Sequence, residues 1–185
     1  MMTEISLNVL DVAQNSVKAK ADLIKISVLA DSYENKLIIE IDDNGCGMTE
    51  EQVSQVCDPF FTTRTTRKVG LGVPFFKEAA ESTDGSFEIK STVGVGTKVT
   101  AIFTLDHIDR MPLGDMSSTM HNLITLNKHI DFIYSYTVND ESFTLDTREL
   151  REILGDVPFD VPEVSAYIMD FLKSNKSEVD KDLIN

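Results

Sequence analysis

The stretch EIDDNGCGMTE (residues 40–50) closes an apolar run with carboxylates and two glycines. The residues before it, LIIEI, alternate and are rich in β-branched side chains, so they predict a strand that ends at this turn. Glycine has no Cβ, so Gly45 and Gly47 let the backbone come close to a flat ligand. A carboxylate at Asp43 can accept a hydrogen bond from the exocyclic amine of adenine, whereas the carbonyl oxygen of guanine is repelled. We call residues 43–48 the glycine turn.

The same stretch also has the oxygen spacing of a calcium-binding EF-hand loop. Counted from Glu40, oxygen donors occupy the first, third and fifth positions, a glycine the sixth and Glu51 the twelfth. An EF-hand loop has to leave a helix, however, and the run before this turn predicts a strand. Its first position is also glutamate instead of aspartate. Calcium binding is therefore only a minor alternative.

The elements around the glycine turn predict an α+β fold. Residues 4–21 have the apolar spacing of a helix, a short helix capped by Thr49 is predicted after the glycine turn, and a third helix is predicted at about 73–82. Residues 23–41 and 86–105 predict hairpins. The order helix, hairpin, helix, loop, helix, hairpin indicates helices on one face of a mixed sheet. The polar stripe of the first helix, which predicts its solvent-facing side, is formed by Glu4, Asn8, Asp11, Asn15 and Lys18.

A change of character near residue 106 predicts two parts, residues 1–106 and a small C-terminal α/β extension, residues 107–185. The extension begins with a polar linker and continues with a short helix, a hairpin turning at Asn139-Asp140 and two helices. Residues after Ser174 are expected to fray. The aromatic residues of the hairpin predict either a small core of their own or docking on the first part: Phe132, Tyr134, Tyr136 and Phe143.

Charge and composition restrict the binding partners and the cellular location that we expect for the protein. The chain carries 17 basic and 31 acidic side chains, a net charge of −14, which opposes binding to nucleic acid or to an anionic membrane. No apolar stretch approaches the roughly 20 residues of a membrane helix. The two cysteines, Cys46 and Cys57, form no C-x-x-C pair and favour reduced thiols. We expect a soluble, cytoplasmic protein. The sequence does not decide whether it forms a homodimer.

Four motifs in order carry a resemblance to a known family: Asn15 on the first helix, Asp43-Asn44-Gly45-Cys46-Gly47, Gly70-Leu71-Gly72 and Gly94-Val95-Gly96-Thr97. This set resembles the GHKL superfamily of ATPases and kinases, which has the Bergerat fold. DPFFTTR, GLGVPFFKEAAE and STVGVGT look like the ATP-binding domain of sensor histidine kinases, and QNSVKAKADLIKISV with DDNGCGM is similar to mismatch-repair MutL. The resemblance covers residues of about 3 to 105 and implies a two-layer α/β sandwich.

The resemblance also implies site roles. Asn15 corresponds to the ligand of a magnesium ion that bridges the ATP phosphates, and Asp11 to the general base of the gyrase, MutL and anti-sigma kinase branches. Whether the shorter aspartate reaches an attacking group stays open. Arg64, in the loop that occupies the place of the ATP lid, is a candidate to neutralise the transferring phosphoryl group. The nucleotide-binding set is Asn15, Lys18, Asp43, Gly45, Gly47, Met48, Arg67, Gly70, Leu71, Gly72, Val73 and Thr97.

Several of these residues have plainer alternatives. Lys18 is equally explained as a solvated helix side chain, and Met48 as ordinary core. Arg64 and Arg67 have the alternative of pairing with surface acids.

The function that the resemblance implies is that of an ATP- and Mg2+-dependent protein kinase, histidine-kinase-like or serine-specific, or an ATPase, acting in signalling on a separate protein. No P-loop sequence and no H-R-D catalytic loop is present, which excludes P-loop enzymes and eukaryotic-type kinases. Residues 107–185 are expected to recognise the partner. The alternative is a regulatory ATP-binding module, an anti-sigma-like switch with little turnover.

Overall fold

The computed structural model describes residues 2–58 and 71–183. No helix within these residues has the length and apolar character needed to cross a membrane. The elements are α1 (Ile5–Lys18), β1 (Leu23–Asp31), β2 (Lys36–Asp43), α2 (Glu50–Val56), α3 (Gly72–Glu81), β3 (Ser86–Thr92), β4 (Gly96–Thr104), α4 (Met116–Leu126), β5 (Asp131–Val138), β6 (Glu141–Asp146), α5 (Thr147–Leu154), α6 (Pro162–Val179) and a 3-10 turn (Asp180–Leu183).

The strands form one mixed sheet with the order β3-β4-β2-β1-β5-β6. Among the described strands, β1 and β5 are parallel neighbours and the other pairs are antiparallel. Buried side chains alternate with more exposed ones along β1 and β2, so one face of the sheet is covered. Helix α3 lies over β3 and β4, α1 over β2, and α6 over β5 and β6. This arrangement confirms the predicted two-layer α+β sandwich.

Helix α1 is fixed at both ends by backbone hydrogen bonds. At its start, the N–H groups of Ile5 and Ser6 donate to the carbonyls of Pro112 and Leu113 at 3.0 and 2.8 Å. The linker of the extension thus satisfies donors that a helix start leaves unpaired. At its end, the carbonyl of Ala19 accepts from the N–H of Cys46 at 2.9 Å. The helix therefore runs from the linker directly to the glycine turn.

The extension continues the sheet instead of forming a core of its own. Strand β5 pairs with β1 so that Ile24 lies beside Phe132 and Ile26 beside Tyr134. These side chains belong to the same buried cluster as residues of α1 and β2. Of the two arrangements that the sequence left open, the structure shows docking on the first part of the chain. The domain boundary at residue 106 stays a prediction.

The end of the chain is more ordered than its sequence predicts. Helix α6 continues to Val179, so the prediction that residues after Ser174 fray is wrong up to that point. Tyr136 Oη on β5 donates to Asp180 Oδ1 at 2.6 Å, and Lys176 pairs with Asp180. The Tyr136 contact comes from a distant strand, so no local sequence pattern predicts it.

Candidate nucleotide-binding site

Asp43 lies at the end of β2 and connects two parts of the site. It is buried, its Oδ1 accepts from the N–H of Gly45 at 2.9 Å, and its Oδ2 accepts from Ser16 Oγ at 2.5 Å. Each carboxylate oxygen has a second lone pair. The carboxylate is therefore held by α1 and by the glycine turn, and it keeps the capacity to accept from a ligand amine.

The glycines are required because three backbone segments meet here. A Cβ on Gly96 would lie 1.9 Å from the carbonyl oxygen of Asp43, and one on Gly47 would lie 2.0 Å from the carbonyl oxygen of Thr92. Gly47 and Gly96 also adopt φ values of 67° and 143°, which side chains disfavour. The motifs on β2 and β4, predicted separately, therefore close against each other.

Ser91 on β3 joins two predicted site residues that come from different motifs. Its Oγ accepts from the N–H of Met48 at 2.8 Å and lies 2.7 Å from Thr97 Oγ1. Met48 is half-buried. This burial agrees with both explanations of the residue, contact with a nucleotide base and packing in the core. Met48 and Thr97 are thus held at one corner by a serine that the sequence analysis did not single out.

The start of α3 lies against α1. A Cβ on Gly72 would lie 2.6 Å from Asp11 Cβ and 3.2 Å from Asp11 Oδ2. Helix α3 has no side-chain cap, and its first residues Gly72 and Val73 carry backbone N–H groups at the positive end of the helix dipole, a favourable place for a phosphate. The Val73 side chain itself is buried, so only its backbone can face a ligand.

The polar stripe of α1 does not uniformly face solvent. Asp11 and Asn15 are half-buried, and Lys18 is exposed, in agreement with its solvated alternative. Asn8 is fully buried, so the prediction that it lies on the solvent-facing side is wrong. The stripe contacts α3 where Asp11 meets Gly72, and α1 also packs against α4 and β2.

A cleft of about 670 Å³ opens beside the glycine turn, and its lining includes Asp43, Gly96 and Thr97. It also includes lysines of the uncovered sheet face, such as Lys98, which pairs with Glu40 at 2.8 Å. Asp11, Asn15 and Gly72 do not line it. The cleft therefore shares Asp43 and Thr97 with the predicted site, but it opens towards the uncovered sheet face and does not reach the contact between α1 and α3.

Three predicted residues, Arg64, Arg67 and Gly70, lie outside the described residues. Leu71, just before α3, is half-buried. The calcium alternative fails on geometry, because strand β2 enters the turn where an EF-hand requires a helix. Within the described ranges, no group of three His, Cys, Asp or Glu side chains has an arrangement that would hold a metal ion.

Sequence reasoning missed Ser16 and gave Asn44, although it belongs to a quoted motif, no role of its own. Asn44 Oδ1 accepts from the N–H groups of Asp22 and Leu23 at 2.8 and 2.9 Å, so it fixes the start of β1 to the glycine turn. Ser16 carried a signal, because it is a polar residue on the apolar line of α1. Such a residue needs a buried partner, and Asp43 is that partner.

Comparison with known proteins matches residues 3–107 to the family of histidine kinase-, DNA gyrase B-, and HSP90-like ATPases. Sensor protein RprX of Bacteroides fragilis is 30% identical over 102 residues, which cover 52% of this chain and 20% of that protein. Sporulation kinase D of Bacillus subtilis is 32% identical over 92 residues, which cover 50% of this chain and 18% of that protein. The chain thus matches a fifth or less of the length of these relatives.

A solved structure described as the N-terminal domain of a DNA repair protein has a similar fold. It aligns with a TM-score of 0.55 at 16% identity and covers 78% of this chain and 53% of that one. At this identity the likeness concerns the fold alone.

Proposed function

Because the chain belongs to the histidine kinase-, DNA gyrase B-, and HSP90-like ATPases, we propose that it binds Mg-ATP and moves the γ-phosphate to a protein or to water. The site lies between α1, the glycine turn and the start of α3. One observation carries the proposal: α1 contacts both ends of this site, through the hydrogen bond from Ser16 to Asp43 and through Asp11 against Gly72.

At the adenine end, Asp43 supplies the acceptor for the exocyclic amine. Its two oxygens are already oriented by Ser16 and Gly45, so little ordering is needed when the base binds. Guanine presents a carbonyl oxygen to the same carboxylate and is disfavoured by repulsion. The site is therefore selective for adenine nucleotides.

At the phosphate end, the backbone N–H groups of Gly72 and Val73 hold phosphate oxygens. Asn15 fits a magnesium ion shared with the phosphates, because Mg2+ keeps most of its waters and needs few protein oxygens. Its half-buried carboxamide makes no hydrogen bond to the described residues. The ion would neutralise phosphate charge. Lys18, Arg64 and Arg67 are proposed to add positive charge from the rim.

Asp11 is proposed as the general base. Its carboxylate takes the proton from the attacking water or hydroxyl group while the new bond to the γ-phosphorus forms. The bond between that phosphorus and the bridging oxygen breaks, and ADP leaves with the electron pair. The position of Asp11 against Gly72 places it at the start of α3, where the γ-phosphate would lie.

The proposal is tested with Asp11→Asn, with Asp156→Asn as the control at an exposed position. We expect Mg-ATP binding, measured by calorimetry, to persist in both variants. Release or transfer of the labelled γ-phosphate should fall about 100-fold or more in Asp11→Asn only. Unchanged turnover would remove the carboxylate from the mechanism. Binding of Mg-ATP without turnover by the unaltered protein would favour the regulatory module.

The acceptor is identified by incubating the protein with γ-labelled ATP and cell extract. Label on another protein indicates a kinase, and free phosphate an ATPase. We propose that residues 107–185 recognise the protein partner. Calorimetric heat with calcium alone would contradict a nucleotide site.

A further inference from the structure

Asn8 on α1 is a buried polar residue without a partner. It is 0% exposed, and within the described part of the chain neither Nδ2 nor Oδ1 has a hydrogen-bond partner. A carboxamide in this state loses its hydration without compensation, so native proteins keep few of them. Its occurrence on the helix that carries Asp11 requires an explanation.

The helix geometry places Asn8 next to Asp11. The two residues are three positions apart, a spacing at which side chains are neighbours on one helix face. That face meets α3, because Gly72 packs on Asp11. Helix α3 then runs towards Thr83, whose Oγ1 accepts from the N–H of Thr104 at the end of β4. Asn8 is therefore one helical turn closer to the start of α1 than Asp11 and is more deeply buried than Asp11.

This depth decides which group Asn8 can serve. Phosphates belong at the N-terminus of α3, one helical turn away, so direct contact with them is unfavourable. The neighbouring acceptor on the same face is the carboxylate of Asp11. An N–H group that donates to a carboxylate fixes its orientation, which is how catalytic bases are aimed at the group they deprotonate.

We infer that Asn8 is a positioning residue for Asp11. When nucleotide binds, the Asn8 side chain turns and Nδ2–H donates to the Asp11 carboxylate, whose other oxygen then faces the attacking hydroxyl or water. The inference rests on the proposed function, because it requires Asp11 to act as the base. Among the described residues, Asn8 Nδ2 has no other acceptor that would compete for this hydrogen bond.

The competing explanation is that Asn8 is only a poorly satisfied core residue. Replacement by leucine, which removes both polar atoms at similar size, would then stabilise the protein and leave catalysis unchanged. Tyr134 provides a matched control, because its Oη is also buried and unpartnered among the described residues. It lies on β5, and Tyr134→Phe removes that atom away from the site.

The first experiment measures thermal unfolding and steady-state turnover of Asn8→Leu and Tyr134→Phe. We expect both variants to be at least as stable as the unaltered protein. In Asn8→Leu, kcat should fall about tenfold or more while KM for ATP stays within about twofold; Tyr134→Phe should keep both. A stable Asn8→Leu protein with unchanged kcat overturns the inference.

A double-variant cycle tests whether Asn8 acts through Asp11. If it does, Asn8→Leu added to Asp11→Asn should cause little further loss, because the two residues work as a unit. Multiplicative losses would show an independent role and overturn the inference.

A third readout does not depend on turnover. The side-chain amide signals of Asn8, followed by NMR, should shift and gain protection from exchange when Mg2+ and a non-hydrolysable ATP analogue bind, and this response should disappear in Asp11→Ala. Binding of the analogue without any response at Asn8 overturns only this inference. No binding of the analogue to the unaltered protein overturns the proposed function as well.

Discussion

The two sides of the sheet differ in how the sequence encodes them. On the β3-β4-β2 side, short motifs around Asp43, Gly47 and Gly96 hold backbone segments together by close contact. On the β5-β6 side, no motif is present, and the strands are placed by pairing of β5 with β1 and by burial of aromatic residues. Local chemistry therefore reveals the ligand end of the molecule, whereas the far end depends on long-range packing.

The largest expected effect comes from removing the β5-β6 side. A chain of residues 1–106 loses Phe132 and Tyr134, which lie beside Ile24 and Ile26. It also loses the carbonyls that cap the start of α1. We expect no cooperative thermal unfolding transition by circular dichroism, whereas a chain of residues 1–180, which keeps Asp180, should unfold cooperatively.

A folded fragment of residues 1–106 that binds Mg-ATP with full affinity would contradict this expectation. It would also support the domain division at residue 106.

The second effect concerns the close contact between Gly96 and Asp43 on the β3-β4-β2 side of the sheet. In Gly96→Ala the new Cβ meets the Asp43 carbonyl oxygen, so the free energy of unfolding should fall by at least about 3 kcal/mol. Gly94 is the control: it also has a positive φ, 78°, but nothing lies within 4 Å of an added Cβ. Gly94→Ala should cost only the backbone strain of about 1–2 kcal/mol. Equal losses by chemical denaturation would show that the close contact does not matter.

A third, smaller effect compares the same substitution on both sides. Ser16→Ala removes the hydrogen bond that holds Asp43, so stability should fall by about 1 kcal/mol, and affinity for Mg-ATP by several-fold. The Ser135 hydroxyl on β5 makes an exposed hydrogen bond to Thr144, and Ser135→Ala should change stability by less than about 0.5 kcal/mol. Calorimetric titration should show no affinity change for this control; an affinity loss in Ser135→Ala alone would reverse the assignment.

The smallest effect concerns helix caps. Asp115 caps α4 by accepting from the N–H of Ser118 at 2.9 Å, and Asp115→Ala should lower the free energy of unfolding by about 1 kcal/mol. Thr49→Ala removes the cap of α2, none of whose residues is buried, so it should fray that helix with less effect on global unfolding.

The contribution of the Asp115 cap depends on pH. Hydrogen bonds from Ser118 lower the pKa of Asp115 below its usual value in the folded state. Its stabilisation is therefore complete above the pKa of the unfolded chain and is lost as pH falls through the folded pKa. Denaturation of Asp115→Ala and the unaltered protein should converge at low pH; a constant difference would mean that the carboxylate charge is not responsible.

Several features of the fold follow from particular residues in the sequence. Strand β2 and its turn were predicted because LIIEI alternates and the glycines follow it. The adenine end was predicted because Asp43 stands between that strand and those glycines. Parallel pairing of β5 with β1 was not predicted, because alternation along a strand does not identify its neighbour.

The sequence identified a site residue only where the proposed role depends on that residue alone. Asp43 could be singled out, but its partner Ser16 lies 27 positions away, and only folding brings them together. The burial of Asn8 was also missed. Helical periodicity predicts which residues share a face, but not how much of that face other elements cover. Arg64, Arg67 and Gly70 remain predictions.

The most direct test of a single Mg-ATP site is backbone NMR of the full chain during titration with Mg-ATP. We expect the amide signals of Asn15, Gly45 and Gly72 to shift together along one saturation curve, because α1, the glycine turn and α3 would contact the same ligand. Saturable shifts confined to the lysines of the uncovered sheet face, or no saturable shifts, would contradict it.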